Sequence, residues 1–388
     1  MNPRPLARLI VTLAILATPT FGLSQEAASQ ATIRIATYNA SLFGKTEGEI
    51  LERLSDGKDE QAEKVAAIVQ TVRPDVLLIN ELDYEEDDAA ARLLAQKFFA
   101  KPQDLLEAID YPYVFVAASN TGVASGMDLN KNNRTGEPND CWGYGVYPGQ
   151  YSFAIFSKFP IDDENIRTFQ QFLWKDLPRA SRPVDPESGE SYYDDETWNS
   201  LRLSSKNHVD VPVVVGGERI HVLASHPTPP VFDGPEDRNG CRNHDEINFW
   251  NFYLAGASSK TLVDDQGKRG GLEVGSPFVI MGDLNSDPLD GDSRQTAIRK
   301  LLAHRFVTDP KASSEGAVST AKKRDLKGEP QFDTAEFGRG HFRVDYVLPS
   351  RNLELVDAEV FWPPEESEEH GLIKASDHRM VWIEVKSP

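Results

Sequence analysis

The order of strand-like and helix-like segments predicts an α/β or α+β fold with two β-sheets. Three features carry that expectation. The chain opens strand, helix, strand, helix, then continues as strands with inserted helices, unlike a simple parallel doubly wound order. The segment from Asp75 to Asn80 encloses a continuous apolar run, the mark of a strand buried on both faces. No internal repeat, low-complexity tract or linker divides the chain, so residues 32–388 are expected to form one domain with long loops.

The elements follow in order. Ile33-Arg34-Ile35-Ala36-Thr37-Tyr38 alternates as a strand does and ends at Asn39. Ala62, Val65, Ala66, Ile68, Val69 and Val72 recur at helical spacing over 59–72, and Arg73-Pro74 stops that helix. A second helix is expected at 88–100, rich in Ala and Leu. Residues 119–150, with many Gly and Asn, read as a long polar loop. Tyr151 to Ser157 reads as a strand closed by Phe159-Pro160, and the Pro- and Asp-rich segment 176–199 as irregular. Leu201 to Ser205, Val211 to Val215 and Ile220 to Ser225 are strand-like. A loop at 227–242 precedes an aromatic-rich helix at 243–256. Phe278 to Met281 reads as a short buried strand and Ser293 to Ala303 as a helix. The chain ends in strands at Arg343 to Leu348, Glu354 to Phe361 and Met380 to Val385.

The N-terminus has the pattern of a secretory signal. Arg4 and Arg8 precede an apolar core from Leu9 to Leu16, and Gly22 and Ser24 fit the small-residue pattern before a cut, so cleavage after Ser24 is expected. Residues 25–31 read as a disordered lead-in. No other stretch is apolar enough to span a bilayer, so neither a span nor stable membrane insertion after cleavage is expected. The product would be secreted or periplasmic. In such an oxidising compartment Cys141 and Cys241 are expected to pair. A bridge across that loop of about 100 residues would contribute roughly 4–5 kcal/mol in the chain-entropy model.

Polar residues recur at the ends of apolar strands: Asn39, Glu81, His226, Asp283 with Asn285, Asp345 within its strand, and Asp377-His378 opening the last one. Strand ends of open α/β sheets are where sites are built. One such residue reads as a turn or cap. Six positions offering only Asn, Asp, Glu and His are not explained by core packing.

Thr37-Tyr38-Asn39, Asn80-Glu81, His226-Pro227-Thr228-Pro229, Gly282-Asp283-Leu284-Asn285, Arg343-Val344-Asp345-Tyr346 and Ser376-Asp377-His378 together resemble the motif set of the endonuclease/exonuclease/phosphatase superfamily, the deoxyribonuclease I-like fold, in its order. The resemblance covers about residues 31–387. It implies a four-layered sandwich, two mainly antiparallel sheets face to face flanked by helices, with the site at one end of the paired sheets. It also implies a hydrolase of phosphoric esters. Glu81 and Asn39, with Asp377 beside them, would hold the metal. Asp283 would orient or deprotonate the attacking water, and Asn285 would position it. His378 paired with Asp345 would stabilise the pentavalent state, and His226 would be a second phosphate donor or general acid.

The chemistry of the side chains agrees. Phosphodiester hydrolysis needs an activated water and stabilisation of charge on the phosphoryl oxygens. Asn39, Glu81 and Asp377 offer hard oxygens, suited to Mg2+ or Mn2+ rather than zinc. An Asp that holds an imidazole fixes its tautomer and keeps it cationic.

Weaker signals remain. Asp128, Asn130 and Asn132 resemble the start of a calcium loop, without the glycine and final acid of that motif, so the expectation is a structural Ca2+ or an ordinary Asn-rich loop. Asn243 with Glu246 has the form of a capping box, and Arg242 and His244 beside it are candidate substrate contacts. Arg202 to Lys206 reads as an amphipathic strand whose bases could reach phosphate.

The formal charge is −20, and two units more negative without Arg4 and Arg8, with no basic stripe. That weighs against avid duplex binding, which depends on Lys and Arg at phosphates. The expected substrate is a phosphodiester in nucleic acid. Small phosphorylated metabolites such as sugar or inositol phosphates come second, a sphingomyelinase-like phospholipase C third, and an inactive binding module last. No protein partner is predicted.

Overall fold

A computed structural model describes Met1 and residues 31–85, 87–321, 326–338 and 340–388. The signal segment and all but the last residue of the lead-in, both expected from sequence, lie outside the described residues, Met1 apart. The strands are β1 (Thr32–Leu42), β2 (Val76–Leu82), β3 (Tyr113–Val116), β4 (Phe153–Ser157), β5 (Arg167–Thr168), β6 (His208–Val215), β7 (Glu218–Ser225), β8 (Phe278–Asp283), β9 (Ala335–Phe337), β10 (Gly340–Phe342), β11 (Asp345–Pro349), β12 (Leu355–Val360) and β13 (Val381–Lys386). The α-helices are α1 (Glu49–Ser55), α2 (Glu60–Val72), α3 (Ala89–Leu94), α4 (Asp195–Ser200), α5 (Arg238–Tyr253), α6 (Thr296–Leu302) and α7 (Glu315–Thr320). A π-helical turn, Ala95–Phe99, continues α3.

One sheet has the order β12-β13-β1-β2-β4-β3 and the other β11-β8-β7-β6-β5, while β9 and β10 form a separate hairpin. Within the two sheets, neighbours are antiparallel except β1 with β2 and β7 with β8. Strand periodicity sorts the second sheet's side chains. Val222, Ala224, Val279, Met281 and Val347 join the cluster that contains the first sheet and α2. Their alternates Leu223, Phe278, Ile280, Tyr346 and Leu348 join a cluster with Phe249, Trp250 and Tyr253 of α5 and Ile298 and Leu301 of α6. A one-residue slip would exchange these faces, so burial fixes the register. The result is the expected four-layered α/β sandwich, within one compact unit from Ala31 to Pro388.

Local signals place several boundaries. Asp59 caps α2 by accepting from Ala62 N at 2.9 Å. Arg73 ends that helix in a left-handed conformation, φ 56°, just before Pro74. Gly282 has φ 144°, and a Cβ there would fall 2.0 Å from Ser225 O, so only glycine lets β8 lie this close to β7.

The structure differs from expectation at four places. Leu201 to Ser205 is not a strand, although Arg202 makes an isolated bridge to Leu173. Ser204 and Ser205 instead spend their hydroxyls on His208 Nδ1, at 2.6 Å, and Glu246, at 2.9 Å. Helix α5 starts at Arg238 rather than 243, so Asn243 is interior and no N-cap. Its amide crosses to Thr228 O and Leu284 O, at 2.9 and 3.0 Å. Cys241 therefore lies inside a helix, buried in the α5 cluster, while Cys141 points its thiol at carbonyls of its own loop, and the two thiols are not bridged. Segment 176–199 is not wholly irregular, since α4 begins within it.

Candidate active site

The parallel pairing of β1 with β2 sets Asn39 opposite Asn80, and the antiparallel pairing of β8 with β11 sets Asp283 opposite Asp345. Both pairs lie at the same end of the sandwich. Asn80 ties the sheets together: its Oδ1 accepts from Thr37 Oγ1 at 3.2 Å and from Asp283 N at 3.4 Å. Asn39 Nδ2 lies 3.0 Å from Glu81 Oε1, 3.1 Å from Asp283 Oδ2 and 3.5 Å from His378 Nε2. Four of the predicted side chains thus meet at one amide. Asn285 N donates to Asp283 Oδ1 at 2.8 Å, and its side chain donates to Asp283 Oδ2 at 3.3 Å. His226 Nε2 stands 3.5 Å from Asp283 Oδ2. His378 Nδ1 donates to Asp345 Oδ2 at 2.9 Å. Asp377 is the outlying member, half-exposed, with Oδ1 4.0 Å from His378 Nε2. Glu81 and Asn285 hold left-handed backbones, φ 58° and 51°. Asn tolerates this and Glu does so at some cost, a strain of the kind that surrounding structure must hold in place.

Charge is distributed unevenly here. Burial raises the pKa of Asp283, reinforced by Asp345 and resisted by His378. Burial pushes His378 the other way, but Asp345 and Asp283 outweigh it and hold the imidazolium well above the ordinary histidine range. Burial drives His226 well below that range, and Lys206 and His378 add to the effect. One imidazole is therefore kept cationic and the other neutral within a single cluster.

Glu81, Asp283, Asn285, Asp377 and His378 line a cleft of about 620 Å3 whose other walls include Phe232, Phe337 and Phe342. A second cavity of about 550 Å3 adjoins it and shares Glu81, Pro229, Val231 and Phe232. Of the weaker candidates, Arg242 lines the second cavity, with Nε and Nη2 tied to backbone carbonyls of Leu203, Arg202 and Ser204. His244 pairs with Asp245 at 2.8 Å and lines neither cavity. Asp128, Asn130 and Asn132 direct their oxygens to amides of residues 132–134, which is the geometry of Asx turns. One residue escaped the sequence reading. Thr334 donates to Asp345 Oδ2 at 2.8 Å and accepts from Asp345 N at 3.0 Å, so it fixes the carboxylate that holds His378. Lys206, read as the end of an amphipathic strand whose bases could reach phosphate, lines the second cavity. Thr334 stands in no motif, and nothing in its neighbours distinguishes it.

The sequence matches the endonuclease/exonuclease/phosphatase family model over residues 36–378. The chain belongs to the endonuclease/exonuclease/phosphatase family. No curated protein matches the sequence. The structure is similar to that of an endonuclease/exonuclease/phosphatase from Beutenbergia cavernae DSM 12333, with 16% identity and TM-score 0.49, over 92% of this chain and 72% of that one. It is also similar to an endonuclease/exonuclease/phosphatase family protein from Leptotrichia buccalis C-1013-b, with 12% identity and TM-score 0.47, over 91% and 99%. The human Nocturnin catalytic domain gives 13% identity and TM-score 0.45, over 92% and 94%. Members of this family are phosphoester hydrolases that depend on divalent metal, and this chain is a hydrolase of that kind.

The residues fit such a cation. Glu81, Asp283 and Asp377 face the family cleft with oxygens, and no sulfur lines it. Asp283, Asp345 and His378 also bring ligand atoms within 4.8 Å of one another. That trio is better read as a proton-holding network, because Asp345 Oδ2 is already taken by His378 Nδ1 and Thr334 Oγ1. Of the carboxylates in the strand-end motifs, Glu81 and Asp377 are the ones left for a metal. Asn39 presents its amide nitrogen inward, while its Oδ1 accepts from Ser41 N at 3.2 Å. Ligation by its oxygen, as expected from sequence, requires the amide to turn over. Among the described residues no helix is long and apolar enough to cross a membrane.

Proposed function

We propose that the chain hydrolyses a phosphodiester by direct attack of water. The observation that carries this reading is the meeting of Glu81, Asp283 and His378 at Asn39, with Asp345 behind the imidazole. Glu81 and Asp377 would hold a divalent cation, which would supply neutralisation of charge on the phosphoryl oxygens. Asp283, its carboxyl raised by burial toward the range of a general base, accepts the proton of the attacking water. Asn285, anchored on Asp283, orients that water and donates to the phosphate. His378 remains cationic and donates through Nε2 to the phosphoryl oxygens as their charge grows. His226, neutral, offers a further N–H to the same group. Thr334 and Asp345 keep the imidazolium in place.

Small phosphomonoesters form a second reading. It is favoured by the acidic net charge and by the second cavity, which opens beside Glu81 and His226. An export signal at residues 1–24 remains part of the proposal, supported by Arg4, Arg8 and the apolar run after them.

The test is turnover of bis-p-nitrophenyl phosphate, p-nitrophenyl phosphate and plasmid DNA with Mg2+, Mn2+ or EDTA. Metal-dependent cleavage of the diesters that disappears in Asp283→Ala and His378→Ala is the expected result. Cleavage of the monoester alone would replace the diester reading with the second. Undiminished activity of either variant would remove the proposed mechanism.

A further inference from the structure

Lys206 immediately precedes Asn207 and the start of β6, and it is 6% exposed. Its amine has no hydrogen-bond or ion-pair partner among the described residues, and it lines the 550 Å3 cavity. The charges of Glu246, Glu81 and Asp283 reach it without direct contact, and Glu246 is occupied by Ser205 N, Ser205 Oγ and Thr228 N at 2.6–2.9 Å. Arg242 lines the same cavity, with its Nη1 not used in the anchoring to carbonyls described above. The hydroxyl of Tyr193, a residue 6% exposed, also lacks a partner among the described residues. An amine with no direct partner beside two more donors is arranged for something that arrives from solution.

The walls describe the rest of the ligand. Trp174, Leu129 and Leu201, 2%, 6% and 5% exposed, are part of the cavity's lining. Tyr144 and Tyr151 stack at 6.5 Å toward the mouth. Phe232, 85% exposed with φ 67°, stands on the rim shared with the reaction centre. A cavity of about 550 Å3 with this apolar and aromatic lining suits a ring-bearing molecule of nucleotide size.

We propose that this cavity is a subsite for a second anionic group, carried on a ring-containing scaffold of nucleotide size, with Lys206, Arg242 and Tyr193 as its donors. The scissile phosphate would lie at Glu81, which borders both cavities, beside His226, which lines the same cavity as Lys206, so the inference rests on the phosphoester reading above and narrows its substrate.

Binding tests the subsite without turnover. The full chain in EDTA is titrated with adenosine 3′,5′-bisphosphate, with adenosine 5′-monophosphate and with an oligothymidylate, by calorimetry. The bisphosphate is expected to bind tightest, about tenfold weaker in Lys206→Met and about threefold weaker in Tyr193→Phe. Thermal melts of both variants check that they fold, and Tyr193→Phe removes nothing but the hydroxyl. In turnover, Lys206→Met is expected to raise KM about tenfold more for doubly anionic esters than for bis-p-nitrophenyl phosphate. Equal binding by the parent and both folded variants would overturn the subsite. So would equal loss on both substrates, which would place Lys206 on the scissile phosphate, or tightest binding of the oligothymidylate, which would make the cavity a strand groove. Bisphosphate binding that depends on Lys206 in a protein that hydrolyses no phosphoester would sustain the anion site and defeat the phosphoester reading.

Discussion

The two cavities that meet at Glu81 treat charge in opposite ways. In the cleft, buried charges answer one another: Asp283 contacts Asn39 and Asn285, and Asp345 is shared between His378 and Thr334. In the neighbouring cavity Lys206 is equally buried and answered by no contact among the described residues. Charges that satisfy one another hold reacting groups in a set geometry before substrate arrives. A charge left over is matched by what binds. The first arrangement should govern rate and the second affinity.

The predictions press on that difference, the largest first. Asp283→Asn should lower kcat about 10²–10⁴-fold with little change in KM, because it removes the proton acceptor and leaves the shape; steady-state kinetics on bis-p-nitrophenyl phosphate read this. Asp345→Asn should cost about 10²-fold in kcat. It should also shift the pH profile. Asp345 raises the pKa of His378, so its loss lets the imidazolium deprotonate at lower pH. The alkaline limb of kcat/KM should therefore move down, and an unmoved limb would remove His378 as the cationic donor. Asn80→Ala should act on stability, about 1–3 kcal/mol in urea unfolding, because it leaves the Asp283 amide unsatisfied between the two sheets.

The smallest effect is expected beside the cleft, in a smaller cavity lined by Asp333, Asp290 and Phe337. Asp333 is pushed up to about 7 by burial and by Asp287 and Asp290 beside it. Its folded state holds a proton that the unfolded chain, near 3.8, gives up first. The penalty is absent below about pH 4, grows as pH rises and is complete above pH 7. Asp333→Asn should melt with the parent at pH 4 and above it at pH 8. Coincident melts at both pH values would mean that these three acids do not repel.

The reaction centre was legible in the sequence because its residues sit at strand ends, where an apolar run stops on an amide, acid or imidazole. Asn39, Glu81, Asp283, Asn285 and His378 all converge as the motifs imply, and the helix over 60–72 is marked by its period and by Arg73-Pro74. The second cavity was not legible. Lys206 lies in a serine-rich run that reads as an amphipathic strand but folds as irregular chain, and α5 begins five residues earlier than its apolar pattern suggests.

Strand period, helix stops and strand-end chemistry are short-range properties, so the sequence by itself determined the sandwich, most of its elements and the residues of the cleft. Other features depend on partners far away in the chain. Asn243 bonds to Thr228 and Leu284, Thr334 braces Asp345, the two cysteines face different surroundings, and the neighbours of Lys206 leave it buried with no direct contact among the described residues. Tertiary structure alone decided these, because whether a buried polar group is satisfied depends on which groups the fold brings within about 3 Å of it.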